Sequence, residues 1–177
     1  MSRTRQTIFA VAALMAIALA AVTVDVAPSK AQAPPPPILV EPLTPRSVFP
    51  DDVSAQFRNK LSGHGTDVVN MKDLSRTVVA RFTVQPGARF PWHTHPGLVV
   101  VNIAQGELVY VAASDCVARP YPAGTAFVDP GHGHVHTAFN RTEGVTVFYA
   151  TFFDFPETGP LSITEGIEEP AGCNVGP

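Results

Sequence analysis

From about residue 67 onward, apolar and polar positions alternate in short runs, and turn residues stand between the runs. Val78, Ala80, Phe82 and Val84 alternate with Val79, Arg81 and Thr83. A period of two marks a strand with one buried face, because successive side chains point to opposite sides of a sheet. Residues 98–104 are apolar on both faces, which predicts a strand in the sheet interior. Further strands are predicted over 107–112, 125–129, 134–140 and 145–154, with a short aromatic segment over 89–95. Pro86-Gly87, Gln105-Gly106, Ser114-Asp115, Pro122-Ala123-Gly124, Pro130-Gly131-His132-Gly133 and Arg141-Thr142-Glu143-Gly144 supply the turns. Gln105-Gly106 and residues 141–144 read as hairpin connections. Short, evenly spaced strands of this kind predict an all-β antiparallel sandwich or barrel with little helix.

The chain before residue 67 has a different texture. Arg3 and Arg5 precede an almost unbroken apolar run over 8–24, which Asp25 ends. Ser29 and Ala31 are small residues suited to a cleavage site, so 1–31 reads as a signal peptide, with an uncleaved membrane anchor as the alternative. Residues 32–66 read as a linker and N-terminal extension. Within them 34–37 is a polyproline stretch, and Pro50-Asp51-Asp52 opens a predicted short helix through Lys60. Residues 67–155 form the expected β domain, and 156–177 a surface tail rich in Pro, Gly and Glu.

The formal charge of the 177-residue chain is −3 at pH 7, and removal of Arg3, Arg5 and Lys30 with the leader makes it more acidic. No basic stripe offers itself to nucleic acid, and no apolar run after the leader is long enough to span a bilayer. The expected location is periplasmic or extracellular. There the two cysteines, Cys116 and Cys173, are expected to oxidise and tether the tail. Closing that loop is worth up to about 4 kcal/mol by chain entropy.

The chemistry lies in the histidines. In His93-Thr94-His95 the two imidazoles share one face of a strand, and a returning strand can bring His136 to the same spot. Three neutral imidazoles hold a divalent transition metal and leave positions open. His134, two residues before His136, is a possible extra ligand. His132 and His64 read as turn or loop residues, and Asn140 as a turn holder. Phe90, Trp92, Val99, Val101, Phe127 and Phe148 are candidates for an apolar wall, with Trp92 on the opposite face from His93 by parity. Arg89 suits a surface ion pair. Tyr110, Tyr121 and Glu107 read as strand or loop surface.

These residues resemble the two cupin motifs. Gly87, five residues, His93-Thr94-His95 and then Gly106 match the first; Gly124, Pro130, Gly133, His136 and Asn140 match the second, with one extra residue between Pro130 and Gly133. The resemblance covers about 78–153 and implies a jelly-roll β-barrel with His93, His95 and His136 as metal ligands. The glutamate ligand of the first motif has no match: Val99 and Val100 occupy both registers in which it would fall. Similar three-histidine shells occur in cupin-fold thiol dioxygenases. A shell without carboxylate carries a formal +2 with a divalent metal, and so favours an anionic ligand. Imidazole suits Fe, Cu, Zn, Ni or Mn, and the metal's identity stays open at this level. The expectation is a metal-dependent enzyme for a small molecule, dioxygenase-like in its leading form. The alternative is a non-catalytic module that binds a small ligand or metal. A homodimer built through edge strands is also expected to be possible, with the segment before Asp67 extending a neighbour's sheet.

Overall fold

The computed structural model describes Pro34 and residues 36–176. The signal peptide expected over 1–31 lies outside the described residues. Eleven strands follow in order: β1 (Ile38–Pro42), β2 (Ser47–Val48), β3 (Ala55–Lys60), β4 (Thr66–Met71), β5 (Arg76–Val84), β6 (Val99–Gln105), β7 (Glu107–Ala112), β8 (Ala118–Pro122), β9 (Ala126–Asp129), β10 (His136–Phe139) and β11 (Thr146–Phe153). Every pairing is antiparallel. Among the described residues there is no helix, and hence none long and apolar enough to cross a membrane.

One sheet runs β1-β5-β11-β6-β9, with β2 also pairing β5; a second runs β10-β7-β8; β3 and β4 form a separate hairpin. The two larger sheets face each other across one core, in an antiparallel jelly roll. The alternation in β5 does what its period requires: Val78, Ala80, Phe82 and Val84 are buried, while the residues between them are half-buried. They meet Phe148, Ala150 and Phe152 of β11 and Val99, Val101 and Ile103 of β6 from the same sheet. Leu108, Tyr110 and Ala112 of β7 and Ala138 of β10 come from the opposite sheet. β6 lies between β11 and β9, in keeping with its apolar composition.

Several local expectations give way. Residues 55–60, expected as the end of a helix, are β3, because Ala55, Phe57 and Asn59 alternate with exposed polar residues and pair with β4. Val69 and Met71 of that hairpin pack with Leu98, Val100, Val128 and Phe153, so it covers the outer face of the larger sheet. The segment 32–66 therefore contributes β1, β2 and β3 to the fold. β1 pairs with β5 of the same chain. Gln105-Gly106 and the 141–144 turn do not close hairpins. β6 pairs with β11 and β9, while β7 pairs with β10 and β8, so the chain changes sheets at each corner. Gly106 has φ 71°, and a Cβ there would stand 2.9 Å from the Val145 carbonyl oxygen, so the two corners press together. β8 was not foreseen, since Pro120 and Pro122 argue against a strand; it lies at a sheet edge, where a missing N–H is tolerated.

The outer face of the smaller sheet is covered by the C-terminal tail. Trp92, Val109, Val111, Phe139 and Cys173 form a buried cluster there, joined by Ile167 and Val175. Cys116 is bonded to Cys173 with Cα atoms 5.2 Å apart. Trp92 thus packs outside the barrel, as its parity requires, and its cover is the tail. Arg89 pairs with Glu169 of the tail at 3.2 Å and lies 5.7 Å from the Trp92 ring centroid.

Candidate metal centre

His93 and His136 are joined as a hydrogen-bonded antiparallel pair. Each backbone N–H donates to the other's carbonyl oxygen at 2.9 Å. The strand period then returns His95 to the same face as His93. The three ring centroids are 4.2 Å (His93–His136), 4.9 Å (His93–His95) and 5.1 Å (His95–His136) apart. All three side chains are buried, and each offers a ring nitrogen within 4.8 Å of the others. This is the convergence the spacing predicted, made by two stretches about forty residues apart.

The Nδ1 atom of each ring is already engaged. His93 Nδ1 is 2.7 Å from the Pro91 carbonyl, His95 Nδ1 is 2.7 Å from the Leu161 carbonyl, and His136 Nδ1 is 2.9 Å from Asp129 Oδ2 and 3.3 Å from the His134 carbonyl. These partners are acceptors only, so each Nδ1 carries the proton and donates. Each Nε2 is left with a lone pair. Three lone pairs with no donor between them suit a cation, and this donor set is compatible with a divalent metal.

Burial and mutual repulsion favour the neutral form of the His93 and His95 rings. For His93, desolvation and then the neighbouring His136 and His95 lower the pKa to about 3, against the smaller opposing effects of the Pro91 carbonyl and Asp129. For His95 burial is again the leading cause and the pKa falls, although Asp129 pulls the other way. Deprotonated imidazole is the form that binds metal.

Asp129 is the residue that sequence reasoning missed. It is almost wholly buried and accepts from three donors: His136 Nδ1–H, the Tyr110 hydroxyl at 2.8 Å and the Gly131 N–H at 2.7 Å. Burial acts to raise its pKa, but the adjoining His136 and His95 and the two side-chain hydrogen bonds outweigh that and hold it below the usual carboxylate range. The signal was available: Asp129 shares the parity of the inward-facing Phe127 on a short strand. The formal count of +2 for an occupied site therefore falls to +1 once this carboxylate is included. Tyr110, expected at the surface, is buried for the same reason of parity with Leu108 and Ala112. Its ring stacks on His136 at 5.0 Å, and burial, then the Asp129 charge, push its hydroxyl pKa well up.

The extra residue in the second motif lies in a turn with positive φ at Gly131, His132 and Gly133. A Cβ on Gly131 would lie 2.0 Å from the Gly97 carbonyl oxygen, so only glycine allows this approach. His132 is exposed and uses its backbone N–H, which donates to the His95 carbonyl at 2.9 Å. His134 is exposed and precedes β10, outside the three-histidine group, because regular pairing begins only at His136. His64 meets Ser114 Oγ at 2.9 Å in a loop. Asn140 holds its turn: its amide donates to the Val84 and Gly144 carbonyls, and its oxygen accepts from Thr142.

Above the three rings lies a cavity. Phe90, Val99, Val101, Phe127 and Phe148 line it as expected, and Trp92 does not. The tail closes one side. Ile163 exchanges backbone hydrogen bonds with Thr94, Leu161 supplies the acceptor for His95, and Ser162 reaches the cavity wall. Nothing periodic in 156–177 announces this.

No family model and no curated protein matches the chain. Solved structures do. The polyketide cyclase RemF from Streptomyces resistomycificus is 19% identical at a TM-score of 0.44, over 53% of this chain and 63% of that one. A Cupin_2 domain of an XRE family transcriptional regulator from Enterobacter cloacae is 15% identical at 0.44, over 68% of this chain and 99% of that one. A cupin superfamily protein from Desulfitobacterium hafniense is 13% identical at 0.45, over 70% and 94%. The chain spans less than two thirds of the cyclase structure. Cupin-domain proteins are what this chain is similar to, and its own coordinates add an all-β jelly roll with a buried three-histidine group.

Proposed function

We propose that the protein binds one divalent transition metal through His93, His95 and His136 and acts on a small organic molecule in the cavity beside it, with dioxygenase-like chemistry as the leading form. The observation that carries the reading is the engagement of all three Nδ1 atoms with acceptors, which leaves each Nε2 with a lone pair, in a group whose ring nitrogens come within 4.8 Å of one another. A redox-active metal there would supply electron transfer toward O2 and Lewis acidity toward an anionic substrate atom. A dioxygenase places both oxygen atoms in its product and needs no external reductant. The chain's own residues orient the ligand rings, exclude water with aromatic walls and lower the net charge of the site through Asp129. The leader sequence and the Cys116–Cys173 bond support an exported protein that takes up its metal outside the cytosol.

The test is metal analysis of protein purified from its native compartment, followed by O2 uptake with candidate small molecules. Stoichiometric metal in the wild type, lost in His136→Ala with strand content unchanged, supports the assignment. Metal retained in that variant sinks it. Zinc with no O2 uptake removes the oxygenase form and leaves Lewis-acid chemistry.

One observation favours a second reading, a non-catalytic binder of a small ligand. Tyr110 and Asp129 are committed to each other and to His136, so Ser162 is the cavity's remaining polar side chain outside the metal group. A ligand recovered unchanged in mass after incubation with the metal-loaded protein would favour that reading.

A further inference from the structure

The cavity wall limits what can enter it. Its lining outside the histidines is Phe82, Phe90, Phe127, Phe148 and Phe152 with Val, Leu and Ala between them, plus Tyr110, Asp129 and Ser162. Tyr110 donates to Asp129, and Asp129 already accepts from three groups. Among the described residues no Lys, Arg or Glu lines it. The nearby cations are engaged elsewhere: Arg119, the cross-strand partner of Tyr110, donates to Asp115 and the Ser62 carbonyl, and Arg89 holds Glu169 outside the barrel. A charged group on the body of a ligand would therefore be desolvated without a partner, which disfavours its binding.

Size is limited too. The cavity is narrow, with about 40 Å³ open to water-sized centres, and a metal with its bound head group would share that space. The wall cannot easily widen, because its rings rest on one another: Phe82 stacks on Phe148 at 4.6 Å and tilts against Phe90 at 6.0 Å and Phe152 at 6.3 Å.

Resting on the metal-site reading above, we infer that the ligand of this cavity is compact and electrically neutral apart from a single metal-binding head, with a small apolar body. The site excludes molecules that carry a second charge, such as amino acids, dicarboxylates and sugar acids.

Matched hydroxamates test this, because the head is the same chelator in every probe and only the body changes. Cobalt(II) is loaded into the full chain, and its visible absorption is followed during titration. Butanohydroxamate is compared with 3-aminopropanohydroxamate, and 3-methylbutanohydroxamate with malonic monohydroxamate, each pair having equal numbers of non-hydrogen atoms. The neutral member of each pair is expected to bind at least tenfold more tightly. Equal or tighter binding by either charged member, or no binding by the neutral ones to a cobalt-loaded site, overturns the inference and leaves the metal site standing. Failure to take up cobalt overturns both. Ala150→Leu, with Ala138→Leu should the first not fold, narrows the cavity. Either variant is expected to keep the cobalt spectrum and lose butanohydroxamate at least tenfold; unchanged binding places the ligand elsewhere and overturns the inference.

Discussion

Val99 on β6 and Asp129 on β9 are cross-strand partners, so the carboxylate missing from the first motif has its counterpart on the adjacent strand. Val99 fills one of the two registers in which that motif would carry its glutamate. Asp129 reaches His136 Nδ1 instead of the centre of the three rings, and so acts on the site through a ligand. A carboxylate behind a histidine fixes the ring's tautomer and raises its basicity.

Asp129→Asn should keep the fold and weaken metal binding by about 10- to 100-fold, the usual cost of losing such a partner. Competition with a chromophoric chelator measures it. Unchanged affinity would show that Asp129 serves the β9 turn alone.

The tail should matter to the metal as well as to stability. Leu161 holds His95, and Cys173 anchors the tail 57 residues from its partner in sequence. Cys173→Ser should lower stability by up to about 4 kcal/mol and speed metal loss to an excess of chelator several-fold. If dissociation kinetics are unaffected while the melting temperature falls, the tail is a structural cover only.

Gly131→Ala should be among the most disruptive single changes in the barrel. The new methyl would meet a backbone oxygen, which cannot swing aside, and the positive φ adds strain. We expect a loss of about 2–4 kcal/mol on denaturant unfolding, the range of severe single substitutions, together with weaker metal binding, because the Gly131 N–H serves Asp129. Wild-type behaviour would contradict the close approach.

The metal-free protein should be acid-sensitive in a defined window. His93 is neutral in the fold down to about pH 3, whereas in the unfolded chain it takes a proton near pH 6.5. The unfolded state therefore binds more protons below pH 6.5, and stability falls as pH drops from 6.5 toward 3. The lowered pKa values of His95 and Asp129 act in the same direction. Melting temperature measured between pH 7 and 4 should fall steadily, and less steeply in His93→Gln. Parallel profiles for the two proteins would refute this origin.

What the chain dictates locally was legible in it. Alternation, short apolar runs and the turns between them located β5, β6, β7, β9, β10 and β11, and the period of two put the His93 and His95 imidazoles on one face. The resemblance to two motifs joined them to His136. Strand pairing at β1 and β8 was not legible, because edge strands need no alternating pattern and tolerate proline. Tertiary structure alone decided that Asp129 and Tyr110 turn inward together, that each Nδ1 finds an acceptor and that residues 161–163 close the site. Those outcomes depend on register between strands and on contacts far apart along the chain. A hydropathy period determines which side of a strand is buried, and says nothing about which distant group arrives there.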